Sequence, residues 1–204
     1  MYPELVKTIG HIAQQSLSAN RENSLQPLID FIQQKVTEGK PVNLNFICTH
    51  NARRSHLAQI WAQTAAAHFH ISGVYCYSGG TEQTAQHTQV AETLKEQGFQ
   101  VIRLTHADNP VYAVKYDAAA APVIGFSKKY DHAFNPVSGF AAIMTCSEAD
   151  GGCPFIAGAE KRIPVPYEDP KKADATPQQA VVYAQRSLEI AAEMYYVFSK
   201  IKPD

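Results

Sequence analysis

The chain has 204 residues, of which 45% are hydrophobic, and its net charge at pH 7 is −1. This composition excludes a disordered chain and argues against broad affinity for nucleic acids or membrane surfaces. No apolar run approaches the roughly 20 residues that a membrane helix needs, and the first residues lack the features of a signal peptide. We therefore expect a cytosolic protein whose four cysteines are structural, metal-binding or catalytic rather than a disulfide scaffold.

The first 40 residues are predicted to form two helices ahead of the main domain. Apolar residues recur at three- and four-residue steps, as at Leu5, Ile9 and Ile12, and a second segment repeats the rhythm. We therefore divide the chain into a helical extension over residues 1–40 and a main domain over residues 41–204. Packing and the formation of a homodimer are the roles that this pattern leaves open for the extension.

From Val42 onward, predicted strands alternate with predicted helices. VNLNFIC reads as a strand, RSHLAQIWAQTAAAHF as a helix, SGVYCYSGG as a second strand, QVAETLKEQGF as a helix and QVIRL as a third strand. PVIGFS and FAAIMTC are further predicted strands, and a long helix follows them. The alternation is typical of an α/β fold that is doubly wound and Rossmann-like. We predict a parallel four-stranded sheet flanked by helices, with the helical extension added at its start.

The loop from Cys48 to Ser55 combines a thiol with the start of a helix. Parallel sheets bind ligands at the carboxyl ends of their strands, and unpaired N–H groups at a helix start attract anions. The same positive helix end and Arg54 are expected to favour the nucleophilic thiolate of Cys48. The spacing Cys-x5-Arg-Ser thus predicts a cradle for a tetrahedral oxyanion, and the alternative is a buried structural cysteine beside a surface arginine. The predicted anion-binding residues are Thr49, His50, Asn51, Ala52, Arg53 and Arg54.

Three segments resemble the low-molecular-weight protein tyrosine phosphatase fold: FICTHNARRSHLAQ, YSGGTE and YEDPKK. A fourth, TCSEADGGCP, has two cysteines that flank an acidic loop and resembles in particular the thioredoxin-coupled arsenate reductases of that superfamily. The resemblance covers about residues 42–200. The catalytic residues that it implies are Cys48, Arg54, Ser55, Asp169, Cys146 and Cys153.

In the mechanism that the resemblance implies, Cys48 attacks the arsenic of arsenate while Asp169 protonates the departing oxygen. Cys146 then attacks Cys48, which expels arsenite, and Cys153 moves the resulting disulfide outward for reduction by thioredoxin. The alternative is a phosphatase that hydrolyses phosphotyrosine or another phosphomonoester through a cysteinyl-phosphate. A third hypothesis is an oxyanion-binding or redox-sensing module without catalysis.

Several departures from the family pattern bear on the choice of substrate. Lys171 follows the Asp-Pro pair where the phosphatases typically carry a tyrosine, which argues against phosphotyrosine. His50 stands where the family usually has glycine, and Arg53 adds a charge that points either to the anion or to solvent. Residues 106–138 form a segment longer than the minimal fold needs, and this segment is either a lid or a solvated loop. The side chain of Lys128 accordingly contacts either the substrate or water.

Metal binding is the competing explanation for the polar residues of this region. Asn51 and Ser78 match positions that help to bind potassium in some relatives, but Gln59 stands where those relatives have an acid. The cysteines show no Cys-x2-Cys spacing and no nearby pair of histidines, as a zinc site requires. We therefore expect neither a metal nor a cofactor, and we expect Cys76, inside a strand, to be a core thiol.

Overall fold

The computed structural model describes residues 1–152 and 155–202. The predicted relay thiol Cys153 therefore lies outside the described residues. The helices are α1 (Pro3–Ile12), α2 (Ala19–Thr37), α3 (Arg54–His68), α4 (Thr88–Glu96), α5 (Ser147–Gly152) and α6 (Gln179–Ser199), with a 3-10 helix at Pro170–Ala173. The strands are β1 (Val42–Cys48), β2 (Val74–Gly80), β3 (Gln100–Arg103), β4 (Tyr112–Lys115), β5 (Val123–Gly125), β6 (Phe140–Met144) and β7 (Ala159–Pro164).

Four strands form a parallel sheet in the order β2-β1-β6-β7, which confirms the predicted fold class. β1 pairs with β2 as far as Cys48, which lies opposite Gly80, and with β6 as far as Ile47, which lies opposite Met144. Because β1 has neighbours on both sides and apolar residues along its length, almost all of it is buried. The register brings Cys48 to the carboxyl edge of the sheet, beside the residues that follow Met144.

The segment predicted as the third parallel strand lies elsewhere, and this prediction was wrong. β3 belongs to a second sheet, which is antiparallel and has the strand order β3-β4-β5. Two of the four residues of β3 are polar and three are exposed, whereas a strand inside a parallel sheet is apolar and buried on both faces. β6 instead takes the position next to β1, and the chain between α4 and β6 builds the second sheet.

The helices α1 and α2 pack on the rest of the chain. Their buried side chains, including Leu5 and Leu28, join the same apolar cluster as Phe198 of α6. Arg21 of α2 donates from Nε to a carboxylate oxygen of Glu193 on α6 at 2.6 Å. The proposed boundary at residue 40 stays a prediction. None of the helices in the described part of the chain has the length and apolar character to cross a bilayer.

Candidate active site

The thiol of Cys48 faces the first turn of α3. Its Sγ lies 3.1 Å from Oγ of Ser55, and Nδ2 of Asn51 donates to that same Oγ at 2.8 Å. Because the hydroxyl of Ser55 already accepts from Asn51, its own hydrogen is free to be donated to the sulfur of Cys48. Such a donor stabilises the thiolate relative to the thiol.

Asn51 fixes the shape of the loop through its backbone and its amide. Its φ of 46° lies in the left-handed region, which asparagine tolerates better than most residues. Its Oδ1 accepts from the backbone N–H of Lys128 at 3.0 Å, and its carbonyl lies 2.8 Å from Nε2 of His56. Burial, with the nearby Lys128 charge, lowers the pKa of His56 to about 3. The neutral ring therefore donates from Nε2, and its Nδ1, 3.3 Å from Oγ of Ser78, is an acceptor.

The guanidinium of Arg54 joins the loop to the segment that carries Asp169. Nη1 donates to the carbonyl of Tyr167 at 2.9 Å, and Nη2 donates to Oδ2 of Asp169 at 2.7 Å. The other oxygen of Asp169 accepts from the N–H of Lys171 at 3.0 Å and so caps the 3-10 helix. An oxygen of Glu148 lies 3.9 Å from Nη2 of Arg54. The predicted anion-binding arginine and the predicted general acid are therefore neighbours.

A pocket of about 560 Å³ lies at this place. The residues that line it are Thr49, His50, Arg54, Glu148, Asp169, Lys171 and Lys172. None of these lining residues, all of them in the described part of the chain, is a phenylalanine, tyrosine or tryptophan. The pocket therefore offers charged and polar groups to a ligand, and the imidazole of His50 is the one ring among these lining residues.

Three predicted anion-loop residues have partners that sequence reasoning did not foresee. The carbonyl of His50 accepts from Oγ of Ser127 at 2.9 Å, and the carbonyl of Ala52 accepts from the N–H of His87 at 3.0 Å. The side chain of Arg53 points neither to the pocket nor to solvent, since it pairs with Asp174. Its place in the anion loop therefore depends on its backbone N–H and stays a prediction.

Cys146 lies at the same edge of the sheet as Cys48, two residues after β6. Its thiol is fully buried and lies 3.4 Å from Oγ1 of Thr49, the residue next to Cys48. The N–H of Ala149, in the unpredicted helix α5, approaches the same sulfur at 3.4 Å. Cys48 and Cys146 belong to one cluster of buried side chains together with Met144.

Lys128 differs from both predicted alternatives, because it is fully buried instead of meeting substrate or water. Its Nζ lies 4.5 Å from the ring centroid of Phe126 and 5.3 Å from that of Phe134. Burial lowers the pKa of this ammonium group to about 7. The signal that could have found this arrangement is the aromatic content of FSKKYDHAF, which supplies two ring faces around one lysine.

The residues considered for metal binding are engaged in the fold. Nε2 of Gln59 donates to the carbonyls of Cys76 and Ile124, at 3.0 Å and 3.3 Å. Burial raises the pKa of the Cys76 thiol, which is expected for a thiol in the protein core. Within residues 1–152 and 155–202, no group of three or more histidine, cysteine, aspartate or glutamate side chains is arranged to hold a metal ion.

The fold is similar to that of solved low-molecular-weight phosphatases. A protein tyrosine phosphatase from T. tengcongensis is 14% identical, with a TM-score of 0.53 over 78% of this chain and 99% of that chain. A phosphotyrosine phosphatase from Vibrio cholerae O395 is 12% identical, with a TM-score of 0.50 over 78% and 94%. An arsenate reductase from Archaeoglobus fulgidus is 16% identical, with a TM-score of 0.49 over 76% and 98%.

No protein-family profile and no curated protein sequence matches the chain. The chain has the fold of the low-molecular-weight protein tyrosine phosphatases, as its sequence motifs predicted. At these identities the likeness shows the fold alone, so the chemistry has to be argued from the site.

Proposed function

We propose that the protein is a thioredoxin-coupled arsenate reductase. The observation that carries the proposal is the position of Cys146, whose sulfur lies 3.4 Å from the hydroxyl of Thr49, the neighbour of Cys48. The two cysteines stand at the carboxyl ends of adjacent parallel strands and share one buried cluster. A phosphatase needs one nucleophilic thiol, whereas reduction of an oxyanion needs a second thiol that can reach the first.

The first step uses the anion loop and Arg54. Arsenate binds to the loop N–H groups and to the guanidinium, and the thiolate of Cys48 forms a bond to arsenic. One arsenic–oxygen bond breaks, and Asp169 gives a proton to the departing oxygen, which leaves as water. Because the anion and Asp169 compete for Nη2 of Arg54, anion binding is expected to free this carboxyl to carry the proton.

The second step uses Cys146. Its thiolate attacks the sulfur of Cys48, a sulfur–sulfur bond forms, and the sulfur–arsenic bond breaks. The electron pair of the broken bond reduces arsenic from the pentavalent to the trivalent state, and arsenite leaves. The proposed exchange with Cys153 and thioredoxin, which returns both thiols, rests on the sequence resemblance.

The test is an assay of arsenate-dependent NADPH oxidation in the presence of thioredoxin and thioredoxin reductase. We expect turnover by the wild-type protein and by Cys76→Ser, a matched control that removes a buried thiol from another part of the fold. Cys48→Ser and Cys146→Ser should each lower the rate by at least about a hundredfold, since each removes a bond-forming sulfur. Cys146→Ser should still be alkylated at Cys48, and unimpaired arsenate reduction by this variant would contradict the proposal.

The second candidate is a phosphatase, favoured by the contact between Arg54 and Asp169. This pair supplies anion binding and protonation of a leaving group without any second thiol. The residues that line the pocket include Lys171 and Lys172 but no phenylalanine, tyrosine or tryptophan, which argues against phosphotyrosine as its substrate. Hydrolysis of p-nitrophenyl phosphate with no arsenate-dependent NADPH oxidation would select this alternative.

A further inference from the structure

Two consecutive arginines hold the two ends of the short 3-10 helix that carries the proposed acid. Arg54 donates to Asp169, the residue that caps the start of Pro170–Ala173, at 2.7 Å. Arg53 pairs with Asp174, the residue that directly follows this helix. Each end of the helix is therefore joined to the anion loop by its own ion pair.

Tyr183 of α6 forms hydrogen bonds with both members of the ion pair between Arg53 and Asp174. Nε of Arg53 donates to the phenol oxygen at 2.5 Å, and the phenol donates to Oδ1 of Asp174 at 2.6 Å. A second nitrogen of Arg53 donates to the other carboxylate oxygen. Burial raises the pKa of Tyr183, so the phenol keeps the proton that it donates. The side chains of Arg53 and Asp174 are 12% and 24% exposed, which limits the screening of this pair by salt.

We propose that Arg53 is a positioning residue that keeps Asp169 over the anion loop after an oxyanion has taken the donors of Arg54. The inference rests on the proposed function, because it assumes that Asp169 protonates the departing oxygen. The bond from Arg54 to Asp169 is weakened at the step that needs the acid, since the anion binds to the same guanidinium. The bond from Arg53 to Asp174 involves no residue that lines the pocket, so it persists.

The first experiment measures whether the 3-10 helix is released from the anion loop, and it requires no catalytic turnover. Lys171 and Lys172 are exposed on this helix, so trypsin cleavage after them reports its release. In the wild-type protein we expect slow cleavage with and without saturating inorganic phosphate. In Arg53→Gln and in Asp174→Asn, phosphate should speed this cleavage by about tenfold, because neither end of the helix is then held. Cleavage of both variants at the wild-type rate in phosphate would overturn the inference.

The second experiment measures catalysis. Arg53→Gln should lower kcat for arsenate by about tenfold or more, with KM changed by no more than about twofold, since a misplaced acid slows chemistry more than binding. Alkylation of Cys48 by iodoacetamide should keep its wild-type rate.

A matched control separates positioning from general loss of stability. Lys35→Met breaks a different ion pair, between a buried lysine and the exposed Glu160, away from the pocket, and it should leave kcat and tryptic cleavage unchanged. A wild-type kcat in Arg53→Gln, alongside an active wild-type enzyme, would overturn the inference and leave the proposed function intact. If the wild-type protein shows no arsenate turnover, the proposed function fails and the tryptic cleavage alone decides the role of Arg53.

Discussion

The thiol of Cys146 lies 3.4 Å from the hydroxyl of Thr49, which directly follows Cys48 in the chain. This contact connects the carboxyl ends of β6 and β1, the two central strands of the parallel sheet. A hydroxyl at this distance can donate to the sulfur and stabilise its thiolate, the form that attacks in thiol–disulfide exchange.

Replacement of Thr49 by valine should therefore slow the attack of Cys146 on Cys48. We expect single-turnover release of arsenite at pH 7, without thioredoxin, to be about three- to tenfold slower, because one hydrogen bond is worth roughly 1 kcal/mol. Thr49→Ser keeps the hydroxyl and should stay near the wild-type rate, and an equal loss in both variants would point to packing instead.

Replacement of Ser55 by alanine should make Cys48 less reactive at neutral pH. Among the described residues, this variant removes the one hydroxyl that lies within hydrogen-bond distance of the sulfur. We expect alkylation by iodoacetamide at pH 7 to fall by about tenfold, because the sulfur loses the hydrogen bond that stabilises its thiolate. Thr64→Val, which removes another buried hydroxyl of α3, is the control and should not change this rate. Alkylation of Ser55→Ala at the wild-type rate would contradict the assignment.

The sequence predicted the parts of the site that are contiguous in the chain and missed those that depend on distant pairing. The anion loop, β1 and α3 follow from one motif and from local apolar patterns. The partner of Arg53 is Asp174, 121 positions further on, and no local pattern indicates such a pair. β3 was recognised as a strand but assigned to the wrong sheet, because strand formation is a local property and sheet membership is not.

A pair of substitutions at Asn51 should separate its two roles in the loop. Asn51→Gly keeps the left-handed backbone at no steric cost and loses both amide hydrogen bonds, to Ser55 and to Lys128. Asn51→Ala loses the same bonds and adds backbone strain. We expect the alanine variant to be less stable than the glycine variant by about 1 kcal/mol in urea unfolding. Equal stabilities, or a more stable alanine variant, would mean that the loop changes conformation.

The ion pair between Arg21 and Glu193 should stabilise the packing of α2 on α6. Glu193 is buried and also accepts from the phenol of Tyr167 at 2.7 Å, so Arg21→Met leaves a buried carboxylate with one neutral donor. We expect a loss of about 3 kcal/mol in the free energy of unfolding. The double variant Arg21→Met with Glu193→Met should lose less than Arg21→Met alone, because no buried charge then remains. A double variant that loses the sum of the two single effects would show that the pair is not coupled.

Lys128 should make the stability of the protein depend on pH above neutrality. Its pKa is about 7 in the folded protein and about 10.5 when unfolded, so between these values the unfolded chain binds more protons. The penalty for burying the charge is complete below pH 7 and diminishes as the pH rises toward 10.5. Lys128→Met removes this penalty, so its stability relative to the wild-type protein should be greater at pH 6 than at pH 9.

The difference between the two pH values should be roughly 2–3 kcal/mol, since each pKa unit corresponds to about 1.4 kcal/mol. The facing imidazole of His56 does not offset it, because burial keeps that ring neutral at both pH values. Urea unfolding at pH 6 and pH 9 measures the effect, and Lys129→Met, at the exposed neighbouring lysine, is the control and should show no such difference. A stability change in Lys128→Met that is the same at both pH values would mean that the folded protein holds this ammonium group charged at pH 9, through a partner that offsets its burial.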